Sequence, residues 1–123
     1  MELNDPSDFV DAEYLEEHRT QRADRGWSEQ DFWNFNSYHS WMMISVLERF
    51  KTGVGYPGGM TWDEWMAILD EMIDGFKADI MITDMIGYEP EIHESYDEWS
   101  APLQAKLDRA LTLFVKYYQT LWD

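Results

Sequence analysis

The sequence predicts an all-α fold: a compact bundle of about four helices with a buried central helix and no sheet. Three observations predict it. Apolar residues recur at helical spacing over several turns, and no segment shows the period-of-two alternation of a half-buried strand. Ser/Thr-x-x-acid start signals stand ahead of two of the apolar segments, at Ser28 and Thr61. The 123 residues are 45% hydrophobic and 16% aromatic, which is material for one core in a single helical domain over residues 1–123.

The elements follow in order. Asp5-Pro6-Ser7-Asp8 reads as a helix start, because Asp or Ser caps well and proline is tolerated in a first turn. A helix from Ser7 to about Asp24 follows, with Phe9, Val10, Tyr14 and Leu15 as a thin apolar stripe and Gly26 as its stop. Ser28 then caps the next helix, Asp31 completes a capping box, and Trp27 and Phe32 occupy the positions of a hydrophobic staple. That helix is expected to run to about Lys51. Its apolar residues (Phe32, Trp33, Phe35, Tyr38, Trp41, Met42, Met43, Ile44, Val46, Leu47, Phe50) leave only a polar line through Asn34, Ser37, Ser45 and Glu48. A helix apolar nearly all round is buried on several sides, so it is the expected central helix. It would serve a homodimer interface as well as a monomer core.

Gly53 to Gly59 is a glycine-rich turn without the Gly-Lys-Ser/Thr ending of a phosphate loop. Thr61 with Glu64 forms the next start signal, and Met60 and Trp65 a second staple. The stripe Trp62, Trp65, Met66, Leu69, Met72, Ile73, Phe76, Ile80 keeps helical spacing for about five turns, and the pattern stops at Gly87. Tyr88 to Ser100 reads as a loop with a helical turn. Ser100-Ala101-Pro102 reads as the start of a last helix, with Leu103, Leu107, Ala110, Leu111, Phe114, Tyr118 and Leu121 on its buried side.

The formal charge is -16, from 9 Lys+Arg against 25 Asp+Glu. A surface this acidic opposes direct affinity for a nucleic-acid backbone or an anionic membrane. The charge is unevenly placed: residues 60–98 hold twelve acids against the single base Lys77. On a helix, Asp63, Asp70 and Asp74 would share one side, about 10 and 6 Å apart along the axis. Phosphates along a duplex strand have comparable spacings, so such a row could occupy a cationic nucleic-acid groove on another protein. The same row also fits a solvated face that keeps the chain soluble, and the residues leave both readings open.

No chemistry is inscribed as clearly. Without cysteine, disulfides, thiolate catalysis and Cys-based zinc sites are excluded. The first residues have neither the basic nor the apolar part of a leader, and no apolar run reaches the about 18 residues of a membrane span. A cytoplasmic location is therefore expected. His18, His39 and His93 form no ligand-spaced pair, so no metal, no cofactor and no catalytic residue is assigned. His39 reads as a core or boundary histidine, and Glu91-x-His93-Glu94 as a solvated loop before a metal site. Glu71-x-x-Asp74 has the form found in magnesium-dependent helical nucleotide pyrophosphohydrolases, but its only candidate partner, Glu13 with Glu16 and Glu17, has a different order. The loop aromatics Tyr56, Tyr88, Tyr96 and Trp99 would serve equally as interface anchors or as lids folded onto the bundle, and a nucleotide-stacking pocket is a third option that the charge opposes unless several Arg residues converge.

Three groups of residues carry a resemblance: Arg25-Gly26-Trp27-Ser28; Gly55-Tyr56-Pro57 with Thr61 to Trp65 and Ile68 to Ile73; and Ala110-Leu111 through Leu113-Phe114, Tyr117-Tyr118 and Leu121-Trp122-Asp123. Over residues 25–75 and 108–123 the chain resembles a group of uncharacterised small acidic helical proteins encoded by bacteriophages. The resemblance implies a phage origin, action in an infected bacterial host and a helical fold. It carries over no activity and no functional residue.

A phage origin favours a non-enzymatic binding protein, an anti-CRISPR-like or other anti-defence inhibitor. Its expected partner is the basic surface of a host nuclease or CRISPR effector. The expected partner-binding residues are Asp63, Glu64, Asp70, Glu71 and Asp74, with Tyr88, Glu89, Glu91, Glu94, Tyr96, Asp97, Glu98 and Trp99. The alternatives are a sponge for a nucleotide signal, a magnesium-dependent nucleotide hydrolase, or a phage assembly component.

Overall fold

The computed structural model describes Leu3 and residues 5–122. Met1, Glu2, Asn4 and Asp123 lie outside the described residues, and with them part of the N-terminal stretch read for a leader and the last residue of the Leu121-Trp122-Asp123 group. The fold is all-α, with no strand among the described residues.

A 3-10 turn spans Pro6–Phe9, capped by Asp5, whose Oδ1 accepts from the Ser7 N–H at 2.8 Å. Val10 then turns extended, and α1 covers Ala12–Arg25. The expected first helix is thus two pieces. Gly26 ends α1 at φ 89°, in the left-handed region that favours glycine, with its N–H donating to the Arg22 carbonyl.

The capping box at Ser28 forms in both directions: Ser28 Oγ accepts from the Asp31 N–H, and Asp31 Oδ2 accepts from the Ser28 N–H. The helix it starts is broken. Asn34, at φ -130° and ψ 49°, separates α2, Glu29–Trp33, from α3, Phe35–Lys51. The expected staple is absent. Trp27 lies 3.8 Å beneath the Arg25 guanidinium, and Phe32 points to solvent.

The buried face of α3 also differs from the expectation. It holds Ser37, Ser40, Met43 and Leu47, whereas Phe35, Met42 and Val46 are exposed. Polar anchors select this face. Ser40 Oγ donates to Asp79 Oδ2 at 2.7 Å, and the Asn36 amide donates to Asp79 and to Thr83 Oγ1. The central helix is instead α4, Trp62–Asp84, which packs on α3 along one side and on α5 along the other. It buries Trp65, Leu69, Met72, Ile73, Phe76 and Ile80, most of the stripe expected for it, while Trp62 stays exposed. Thr61 caps α4 by accepting the Glu64 N–H.

Met85 and Gly87 leave α4 through positive φ, at 54° and 91°. The last helix, α5, covers Tyr96–Tyr117 and starts earlier than expected. Ser95 is its cap, accepting the Glu98 N–H at 3.1 Å, and Pro102 lies inside it. Its buried residues are Ala110 and Leu113, with Phe114 and Tyr117 partly buried; Leu111 and Tyr118 face solvent. The helices α4 and α5 approach closely at Gly75. A Cβ there would overlap Ala110 Cβ and stand 2.5 Å from the Lys106 carbonyl. Around the crossing the rings meet edge to face, as Phe76–Phe114 and Trp65–Tyr117 do at 5.9 and 5.7 Å. His39 meets Phe76 and Phe114 in the same way, and burial lowers its pKa.

Candidate functional site

Three helix termini meet at one end of the bundle. The Asn36–Thr83 bond ties the start of α3 to the end of α4, and Tyr96 Oη donates to the Ile82 carbonyl, tying in the start of α5. The expected partner-binding residues are therefore split. Asp63 and Glu64 stand in the first turn of α4, about 30 Å by helical rise from the segment 89–99 at its far end. Asp70, Glu71 and Asp74 lie between.

The five expected partner-binding acids of α4 are exposed, but two of them are partly neutralised. Lys51 Nζ contacts Asp70 Oδ1 at 2.6 Å, and Arg109 Nε contacts Glu71 Oε2 at 3.3 Å. The lysine's pKa is raised, first by its bond to Asp70. The Glu71-x-x-Asp74 pair thus has one member engaged by a guanidinium. Among the described residues no three His, Asp or Glu side chains gather as metal ligands would.

The 89–98 segment is different. Glu89, Glu91, Glu94, Asp97 and Glu98 are all exposed, and no Lys or Arg occurs among them. No salt bridge reaches them among the described residues. Asp84 adds to this end; partial desolvation pushes its carboxyl up, and the Asp79 carboxylate adds to the shift. The uncompensated acidity is therefore densest at the junction of α4 and α5.

Tyr88, Tyr96 and Trp99 are half-buried and folded upon one another. Ring centroids lie 5.4 Å apart for Tyr88–Trp99 and 5.7 Å for Tyr96–Trp99, and His93 stacks on Tyr88 at 5.8 Å. This knot holds the acidic segment in shape. The exposed rings at this end are others: Phe32, Trp33 and Phe35 are 62%, 75% and 57% exposed. Sequence reasoning assigned them to the core because helical apolarity carries no label for which side a neighbour will cover.

A buried polar network went unforeseen as well. Asp31, 2% exposed, receives a bidentate pair from Arg22 at 2.7 and 2.8 Å. Arg22 also donates to Ser7 Oγ, and its guanidinium lies over the Tyr38 ring. His18 is wholly buried, with one ring nitrogen on Ser7 Oγ and the other on Ser28 Oγ. Both nitrogens being occupied by hydroxyls, and the carboxylate by arginine, the group bolts the 3-10 turn, α1 and α2 together. It lacks the base–orienter pairing of a nucleophilic triad. The Ser28-x-x-Asp31 cap was the one signal that could have pointed to it.

Compared with protein-family models, with curated proteins and with solved structures, the chain matches none.

Proposed function

We propose that this is a phage-encoded binding inhibitor that docks its acidic end onto the nucleic-acid-binding surface of a bacterial host protein, such as a defence nuclease or CRISPR effector. The observation that carries the reading is the row of exposed carboxylates from Glu89 to Glu98, without a salt bridge among the described residues and held by the aromatic knot at the end of the bundle that also exposes the rings of Phe32, Trp33 and Phe35. Carboxylates steer and orient a basic partner, and exposed aromatic rings supply desolvated anchors. The apolar anchors in this reading are Phe32, Trp33 and Phe35, since Tyr88, Tyr96 and Trp99 are occupied with one another. The resemblance to phage-encoded proteins directs the search to bacterial hosts. No observation favours the nucleotide-sponge, hydrolase or assembly readings over this one.

Affinity capture from a bacterial lysate tests it. The wild-type chain should retain a basic nucleic-acid-acting protein at low salt and release it at high salt. Glu89→Lys/Glu91→Lys/Glu94→Lys should abolish retention, and Asp70→Lys/Asp74→Lys should weaken it less. Retention that survives the triple reversal would sink the reading.

A further inference from the structure

Between the 3-10 turn, the α2–α3 break and the end of α4 lies a cavity of about 250 Å³. Phe9 and Ile80 give it apolar walls, while Gln30, Asn34, Ser37 and Asp84 bring polar side chains to it. Three of these four have bonding capacity left open, Ser37 while buried and Asn34 and Asp84 while exposed. The buried Ser37 Oγ has no hydrogen-bond partner among the described residues. Asn34 stands at the N-terminus of α3 but its side chain caps nothing. Asp84 pairs with no cation among the described residues. Asp31 also lines the cavity but is satisfied by Arg22, and the neighbouring Asp79 is satisfied by Ser40 and Asn36.

Buried polar groups are normally paired, so the buried Ser37 hydroxyl left without a partner marks a place where a ligand completes the bonding, and the exposed Asp84 carboxylate beside it sets the charge that ligand would carry. No Lys or Arg lines the cavity, which disfavours an anion. A carboxylate, a hydroxyl and two amide oxygens are all acceptors, and one flat cation with several N–H donors can meet them together. Guanidinium carries five such donors in a rigid plane, and its aliphatic stem suits apolar walls. We propose that this cleft binds the side chain of an arginine, with the stem along Phe9 and Ile80 and the guanidinium donating to Asp84, Ser37 and Asn34. This deepens the functional reading above and rests on it for the source of the arginine, the basic surface of the partner.

The test uses the full chain, labelled with ¹⁵N, and small probes. N-acetyl-arginine methylamide should give saturable amide shifts at Asn34, Ser37 and Asp84. The uncharged isostere N-acetyl-citrulline methylamide should bind at least about 10-fold more weakly, as should the arginine probe on Asp84→Asn, because the charge-assisted bonds are lost. Ser37→Ala should weaken arginine binding without changing the citrulline comparison. Non-saturable shifts, equal binding of the two probes, or shifts confined to residues 89–98 would overturn the proposal. Its failure is separable from that of the docking reading. Arginine binding here with no protein captured supports the cleft and removes the docking. A captured protein held equally by Asp84→Asn removes the cleft and leaves the docking.

Discussion

At the residue scale, the Arg22–Asp31 pair is the most consequential contact outside the apolar core. Asp31 is nearly wholly buried, so removing its guanidinium strands a charge away from water. Breaking a buried pair on one side costs about 3–5 kcal/mol, and the partial exposure of Arg22 places Arg22→Ala at the lower part of that range. Urea denaturation should show the loss; a change under about 1 kcal/mol would contradict the network's role. His18 adds a pH dependence. Burial, then the nearby Arg22 charge, lower its pKa from 6.5, with Asp31 and Asp5 acting in the opposite direction. Since the folded value is depressed, the unfolded chain binds the proton first as pH falls. The contribution is full above the unfolded pKa and declines as pH drops below it. His39, also lowered by burial, acts in the same sense. His18→Gln should therefore lose less stability than the wild type between about pH 7.5 and about pH 5.5, and parallel pH profiles would contradict the assignment. Only half of this network was legible. The Ser28–Asp31 cap is a local pattern, but the Arg22 and His18 contacts depend on how Gly26 turns α1 back, which spacing alone does not encode.

At the element scale, helix locations were legible from caps and periodicity, and helix faces were only partly so. Around α4, the regular stripe from Trp65 to Ile80 named most of the buried residues correctly. For α3, abundance of apolar residues suggested the central position, but Ser40 and Asn36 bond across to Asp79 and Thr83, and Phe35 on α3, like Trp33 on α2 before the Asn34 break, is exposed. Two substitutions separate these accounts. Leu47→Ala should cost about 2–5 kcal/mol because Leu47 is fully buried in the core cluster. Trp33→Ser should change stability by no more than about 0.5 kcal/mol, as for an exposed site. A large loss at Trp33 would contradict its exposure and the break at Asn34 that separates it from α3. The α4–α5 crossing offers a third test. Gly75→Ala raises helix propensity by about 1 kcal/mol, yet its methyl meets Ala110 and the Lys106 carbonyl. Overpacking of this kind costs about 1–3 kcal/mol, so the variant should be net less stable, with partial rescue by Ala110→Gly. A Gly75→Ala chain more stable than wild type would show that the helices do not approach so closely.

At the scale of the whole molecule, the charge of -16 acts on both folding and association. Self-repulsion destabilises the compact state and is screened by salt, whose Debye length falls from about 30 Å at 0.01 M to about 8 Å at 0.15 M. The melting temperature should rise over that range, and Glu89→Lys/Glu91→Lys/Glu94→Lys should raise it at low salt. A melting temperature insensitive to both would mean that the acids at the α4–α5 junction do not repel one another appreciably. The sequence located the excess charge in residues 60–98. It did not disclose that Lys51 and Arg109 would cover part of it, since both lie on other helices. The most direct test of the central claim, that this acidic end occupies a nucleic-acid site, is competition. Duplex DNA added to the captured host protein should displace it from the immobilised chain, with a response that rises with DNA concentration. A captured protein that binds the DNA while remaining attached would contradict the claim.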